Sequence, residues 1–365
     1  MIAAVRRAFD NFAGRGEAAV TVPPMDGALR PNNAIETAAV IEHAEMPDNL
    51  VFDRGLVWYS TGNTLRTIGE ARPRHYDAPI TCAADGPGGM LAIGLEDGRV
   101  IIEQGGVKLG AIERVGDRRL VCPVALAFDG DALLIAEGSR THPPADWQRD
   151  VMERGSHGRG SGSVWRVALN GDARCLADGL AWPYGLLVRR DGSILVAEAW
   201  RHRLLRLTRD GAGPVPVLSD LPGYPARMSD AGDGGTWLAV FAPRSQLIEF
   251  VLRERGYRTR MMAEVPRDFW IAPALYSGRS FREPLQGGAV KQMGILKPWA
   301  PTRSYGLVLR LDAACQPVAS LHSRADGTRH GITSVLADGA RVLAASKGGN
   351  VIVALDAAAT GQVLQ

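Results

Sequence analysis

One pattern recurs six times along this chain: a short apolar strand, an Asp/Gly turn, a second apolar strand, a polar bend and a third strand. The copy at 183–207 displays every part. An apolar run at 185–188 leads into the Asp191-Gly192 turn, a second run follows at 194–197, a polar bend occupies 198–203, and a third run ends the unit at 204–207. Asp-Gly between two apolar runs is the backbone chemistry of a tight hairpin. A single meander of this kind cannot bury both of its faces, so it must pack against copies of itself. Related units begin near Pro47, Pro79, Pro123, Pro183, Pro225 and Gly331, the fifth reading from Pro225 to Val251. A repeat of roughly 40–45 residues with about four strands is the signature of a propeller blade. The sequence therefore predicts an all-β chain folded as a six-bladed β-propeller, with insertions accounting for the uneven spacing.

At 365 residues and 46% hydrophobic content, the chain is long enough to bury the core of one closed ring. Residues 36–43 alternate as a strand does and are expected to complete the last blade, because pairing the two ends of the chain removes exposed edges. The expected organisation is an N-terminal extension over 1–35, opening with a short amphipathic helix, followed by the propeller over 36–365. Two long insertions, 139–161 and 253–303, are expected to act as lids, the second serving either as a lid or as a homo-oligomer contact. Loops of this length inside a compact ring are commonly functional. Trp147 and His157 in the first, and Trp270, Trp299 and Arg303 in the second, are candidate substrate-binding residues.

Several function classes are disfavoured. The net charge is only +3, and no block of Lys/Arg interleaves with aromatic residues, so nucleic acid is not an expected partner. The cysteines, Cys82, Cys122, Cys175 and Cys315, are scattered without metal-ligand spacing and suit a cytoplasmic protein with reduced thiols. No apolar run approaches the ~20 residues that span a bilayer. Nucleophile-elbow, zinc-protease and phosphate-loop motifs are absent, and Gly158-Arg159-Gly160-Ser161-Gly162 lacks the flanking strand and helix of a phosphate cradle. The expected partner is a small molecule.

The stretch from Gly179 to Leu207, through Pro183, Gly185, Asp191-Gly192, Val196-Ala197-Glu198, Trp200 and Arg203-Leu204, resembles the strictosidine-synthase-like proteins, relatives of the SMP-30/gluconolactonase and paraoxonase propellers. Tyr305-Gly306-Leu307-Val308, Leu321-His322, Asp326-Gly327 and Ile332-Thr333-Ser334-Val335 near the end carry the same resemblance. It implies a six-bladed ring with its site at the channel mouth. Hydrolases of that kind hold calcium with oxygen donors from the starts of inner strands, as a hard cation requires. Asp48 and Asn49 stand at such a start. Elsewhere the resemblance breaks: Tyr184 and Arg227 stand where metal-binding residues are expected, and the third unit offers Ala125. No cofactor is therefore expected beyond residual calcium at Asp48 and Asn49. Thr333 occupies the position that matches the acid/base carboxylate of strictosidine synthesis, which leaves that reaction unsupported.

The candidate catalytic set is Glu198 and Glu137, which end equivalent second strands, with Tyr184, Arg227, His330 and Thr333. Converging on one face, these residues would offer acid/base and oxyanion-stabilising groups without a metal. Competing expectations stand beside this one: Glu198 bracing the bend through His202 or Arg203, Arg227 bridging to Asp48 or Glu198, and Tyr184 plugging the channel. Three functions follow, in order of preference: a hydrolase of a lactone or ester at the channel mouth, a carbon–nitrogen lyase, and a propeller that binds or scaffolds without catalysis.

Overall fold

A computed structural model describes residues 22–69, 73–156, 158–168, 171–280, 282–284 and 303–357, together with the backbone of 291–292 and 295–296. The described residues form six four-stranded antiparallel sheets and two short ribbons. Blade one comprises Asp48–Asp53, Leu56–Thr61, Thr64–Thr67 and Arg74–His75, and blade two Ile80–Gly86, Met90–Leu95, Val100–Gln104 and Val107–Ile112. Blade three is Pro123–Asp129, Ala132–Glu137, Gly162–Ala168 and Ala173–Leu180, and blade four Pro183–Val188, Ile194–Glu198, Arg203–Leu207 and Val215–Leu218. Blade five joins Gly223–Asp230 and Thr236–Pro243 to Leu307–Leu311 and Pro317–His322. Blade six is Ile332–Asp338, Arg341–Ser346, Val351–Asp356 and, from the other end of the chain, Ala39–His43. The first strand of each blade packs against the first strand of the next, and the sixth packs against the first, so the ring is closed.

The blades cohere through their second strands. Every residue of Ala132–Glu137 and Ile194–Glu198 is buried, and small or branched side chains at these positions fill the space between neighbouring sheets. Each fully buried aliphatic chain contributes about 1.5–3 kcal/mol by leaving water.

The expected strand at 36–43 begins later than predicted. Ala34–Thr37 is a helical turn, entered through a bond in which Asn32 Oδ1 accepts from the amide of Ala34, and only Ala39–His43 is extended. That strand pairs antiparallel with Val351–Asp356, Ala39 opposite Ala354, and completes blade six. The helix predicted at the start of the chain lies outside the described residues. Blade five also departs from the reading of its third strand. The run after Pro243 is a helix, Gln246–Arg253, because Ser245 Oγ accepts from the amide of Ile248 and caps it. The second insertion therefore starts near residue 244 rather than 253, and the blade resumes at Leu307.

Both insertions contain helices, Trp147–Arg154 in the first and Gln246–Arg253 and Arg255–Glu264 in the second. They are bonded to each other. Arg267 Nη1 donates to Asp146 Oδ1 at 2.9 Å, Gln148 Nε2 to the carbonyl of Pro273 at 2.9 Å, and Arg258 to the carbonyl of Glu153 at 3.2 Å. The second insertion also lies flush on blade six: a Cβ at Gly348 would come within 1.8 Å of the Leu275 carbonyl, so only glycine allows this approach. No helix among the described residues is long and apolar enough to cross a membrane.

Candidate functional site

All six inner strands carry an irregularity at the same level. In blades two, three, four and six a single residue is skipped in the pairing with the second strand: Thr81, Val124, Tyr184 and Thr333. In blades one and five the skip spans Asn49-Leu50 and Ala226-Arg227. A bulge releases backbone groups from the ladder and turns them elsewhere. Here they turn to the channel axis.

Arg227 meets them there. The side chain is buried, and its Nη1 donates to Asp48 Oδ1 at 3.1 Å and to the Thr333 carbonyl at 3.4 Å. Its Nη2 donates to the carbonyls of Thr81 at 2.6 Å and Val124 at 3.2 Å. Arg227 Cζ stands 4.8 Å from the centre of the Tyr184 ring. Gly185 makes the neighbouring approach feasible, since a Cβ there would lie 2.2 Å from the Ala226 carbonyl.

Asp48 is the second centre. Besides Arg227, it accepts from Thr333 Oγ1 at 2.8 Å and the amide of Asn49 at 2.8 Å, while Lys347 Nζ donates to its other oxygen at 2.8 Å. Burial alone would raise the pKa of Asp48, but Arg227 and Lys347 outweigh it and hold the carboxyl below the usual range. Burial likewise opposes the ammonium of Lys347, and the Asp48 charge outweighs it and lifts that pKa above the ordinary lysine value. Both groups are therefore charged at neutral pH. An ammonium has three donors, and Lys347 spends one on Asp48. Its others have no partner among the described residues.

Above this floor lies a cavity of about 390 Å³. Asp48, Thr81, Val124, Tyr184 and Lys347 form its base, and Trp147, Trp182, Trp200 and Phe241 wall one side. The Trp182 and Trp200 rings stack at 5.4 Å between centres, and Trp147 lies 6.1 Å from Trp200 and edge-on to Phe241 at 5.6 Å. Trp200 is fixed by a bond from its Nε1 to Asp150 Oδ2 at 2.9 Å, which also ties the first insertion to the wall. Pro144, Ala145 and Leu275 bring both insertions to the cavity, and Glu96 lines it with a carboxylate that makes no hydrogen bond or ion pair among the described residues.

The candidates named from sequence divide accordingly. Tyr184, Arg227, Thr333, Asp48 and Trp147 come together at this floor and wall, and Val124, not Ala125, holds the equivalent place in blade three. Asn49 lies alongside, its Nδ2 donating to Ser60 Oγ at 2.7 Å. Glu198 and Glu137 do not line the cavity. Glu198 accepts from the amide of Ala181 at 2.7 Å, from Arg201 Nη1 at 2.9 Å and from Arg203 Nε at 2.6 Å. Glu137 accepts from the amide of Val121 at 3.0 Å and pairs with Arg118. Both carboxylates are thus braces that hold the segment entering their own blade. His330 is bonded to Ser304 Oγ and the Arg324 carbonyl, each at 2.7 Å, away from the cavity lining. Trp270 is packed in the core with its Nε1 on the Val265 carbonyl, and Arg303 is not among the lining residues. His157 and Trp299 lie outside the described residues.

Sequence reasoning missed Lys347 and Glu96, and a regular signal for them exists. The amides of Glu96, Gly138, Ala199 and Lys347 each bond the carbonyl just before an inner strand, at Pro79, Cys122, Trp182 and Gly331. These four positions are equivalent, one residue beyond the level of Glu137 and Glu198. Successive side chains of an extended chain point to opposite faces. The residue after the strand end is the one that reaches the cavity, and in blades three and four it is only Gly138 or Ala199.

Fold and site define a six-bladed propeller with a cation-bearing floor beneath an aromatic cavity. No family model and no curated protein matches this sequence. Among solved structures, the chain is similar to a gluconolactonase from Xanthomonas campestris at 13% identity, over 87% of this chain and 88% of that one, with a TM-score of 0.55. It is also similar to regucalcin from Agrobacterium tumefaciens, a calcium-binding protein, at 13% identity over 87% and 93% of the two chains, with a TM-score of 0.50. The fold is thus that of the SMP-30/gluconolactonase propellers. The residues present do not fit calcium. Asp48 is already shared by two cations, and among the described residues no three His, Cys, Asp or Glu side chains gather as a metal site.

Proposed function

We propose that this protein is a hydrolase of a lactone or ester with a flat, apolar body, working without a metal at the cavity above Asp48. The observation that carries this reading is the Lys347 ammonium, anchored by Asp48 yet with donors to spare at the foot of an aromatic wall. A ring slotted against Trp147, Trp182 and Trp200 would present its carbonyl oxygen to Lys347. Water adds to the carbonyl carbon, the oxygen becomes an oxyanion held by Lys347, and Glu96 takes the proton from the attacking water. Collapse of the intermediate expels the ring oxygen, which receives that proton, and leaves a hydroxy acid. A fixed cation facing the developing charge is the larger part of such catalysis. The aromatic wall favours an aryl or hydrophobic lactone over a polyol.

The test is turnover of matched aryl and sugar lactones, with and without chelator. The expected result is turnover of the aryl lactone that chelator leaves unchanged and that Lys347→Met reduces by roughly 100-fold or more. Turnover of neither class, or Lys347→Met as active as the parent, would sink the proposal.

A further inference from the structure

Every blade sends something to the Arg227 guanidinium. Blade one gives the Asp48 carboxylate, blades two, three and six the carbonyls of Thr81, Val124 and Thr333, and blade four the face of Tyr184, while blade five carries the arginine itself. Three of these oxygens are carbonyls released by the bulges. Turned inward without a positive partner, they and Asp48 would face one another across a narrow axis. A second cavity of about 350 Å³ lies below, lined by Arg227 and the later residues of all six inner strands, whereas Asp48, Thr81, Val124 and Tyr184 among the partners of Arg227 line the cavity above. The guanidinium therefore stands as a partition in the central channel.

We propose that Arg227 is the resident cation of this ring: a guanidinium, tethered to blade five, that occupies an oxygen cage shaped for a free ion and fixes Asp48, and through it Lys347. It is a positioning residue. Its planar fork satisfies four oxygens from four blades, a reach that a lysine at this position would not reproduce. Because the cation is part of the chain, it cannot dissociate or be chelated. The inference concerns ion occupancy and ring closure, so it stands or falls separately from the hydrolase reading.

Thermal unfolding of the full chain tests it. Wild type should melt at the same temperature in calcium and in chelator, and should bind no terbium, a luminescent calcium substitute, at the axis. Arg227→Ala should melt roughly 5–10 °C lower, and millimolar ethylguanidinium should restore much of that loss while equal sodium chloride does not. The emptied cage should also admit terbium once the competing ammonium is removed, in Arg227→Ala combined with Lys347→Met. If Arg227→Ala does not fold, Arg227→Lys decides: a lower melting temperature, insensitive to chelator, is required. Stoichiometric calcium in wild type, a chelator-induced loss of its stability, wild-type melting in either variant, or a folded Arg227→Ala indifferent to ethylguanidinium would each overturn the proposal.

Discussion

Asp48 carries one negative charge and holds two positive ones, so a positive charge remains on the cavity floor across the neutral range. Its lowered pKa contributes stability that is complete above the ordinary carboxylate value of about 3.9 and disappears only as pH falls through the still lower folded value. The raised pKa of Lys347 works in the opposite sense: its contribution is complete below about 10.4 and is lost as pH rises through the folded value. Between these limits the Asp48–Lys347 pair keeps both of its charges. The pH response of the fold should come instead from the buried histidines: His202 and His330, whose pKa values burial lowers, and His322, whose ring is buried between the Tyr305 hydroxyl at 3.1 Å and Ser320 Oγ at 2.8 Å. Burial pushes the His322 pKa down to about 4. Below about 6.5 the unfolded chain takes up a proton that the folded ring refuses, so this contribution is full above that value and is lost as pH falls through 4. The loss is on the order of 3 kcal/mol. Denaturation followed from pH 7 to 4 should show a stability slope that His322→Gln makes shallower; an unchanged slope would assign the titration to another group.

At the scale of the element, the second strands do two jobs that one residue of register separates. Glu137 and Glu198 end their strands facing the segments that enter blades three and four, where each accepts a backbone amide and is paired with arginine. Replacing Glu198 by Gln should cost about 3 kcal/mol, because two guanidinium groups lose their buried counter-charge, while kcat for the aryl lactone stays near that of wild type. Chemical denaturation and steady-state kinetics on the same preparation check this, and a collapse of kcat without loss of stability would return Glu198 to the chemistry. The blades were legible because Asp-Gly turns and apolar runs at Pro183 and its equivalents follow local rules. The inner-strand starts at Asp48, Tyr184, Arg227 and Thr333 were legible only through the family resemblance, which implies metal-binding or acid/base residues at those positions. Lys347 was not, since Ser346-Lys347-Gly348-Gly349 reads as an ordinary exposed turn and only the register of the hairpin turns the ammonium inward. The helix Gln246–Arg253 was misread as strand for a related reason. Its run from Leu247 to Leu252 is apolar enough for either structure, and the Ser245 cap with the packed first insertion decides for helix.

For the whole molecule, the decisive contact is the one that makes the ring a ring. Ala39–His43 supplies the outer strand of blade six, and the residues just before it stitch blades five and six together. Asn32 donates to the Ser320 carbonyl at 2.9 Å and accepts from the amide of His322 at 3.0 Å, while Glu36 accepts from the amides of Thr328 at 3.0 Å and Arg329 at 3.3 Å. Without this segment, Val351–Asp356 would become an open edge carrying Val351, Ile352 and Val353, the type of strand that pairs with another chain. A chain lacking residues 1–43 should therefore melt at a lower temperature and associate as its concentration rises, which scanning calorimetry and light scattering would detect. A synthetic peptide spanning residues 26–43, added in trans, should restore the monomer and part of the melting temperature, because it replaces strand pairing and capping together. A truncated chain that stays monomeric and melts as the full chain does would mean that the other five blades and the Arg227 junction hold the ring closed without its terminal strand.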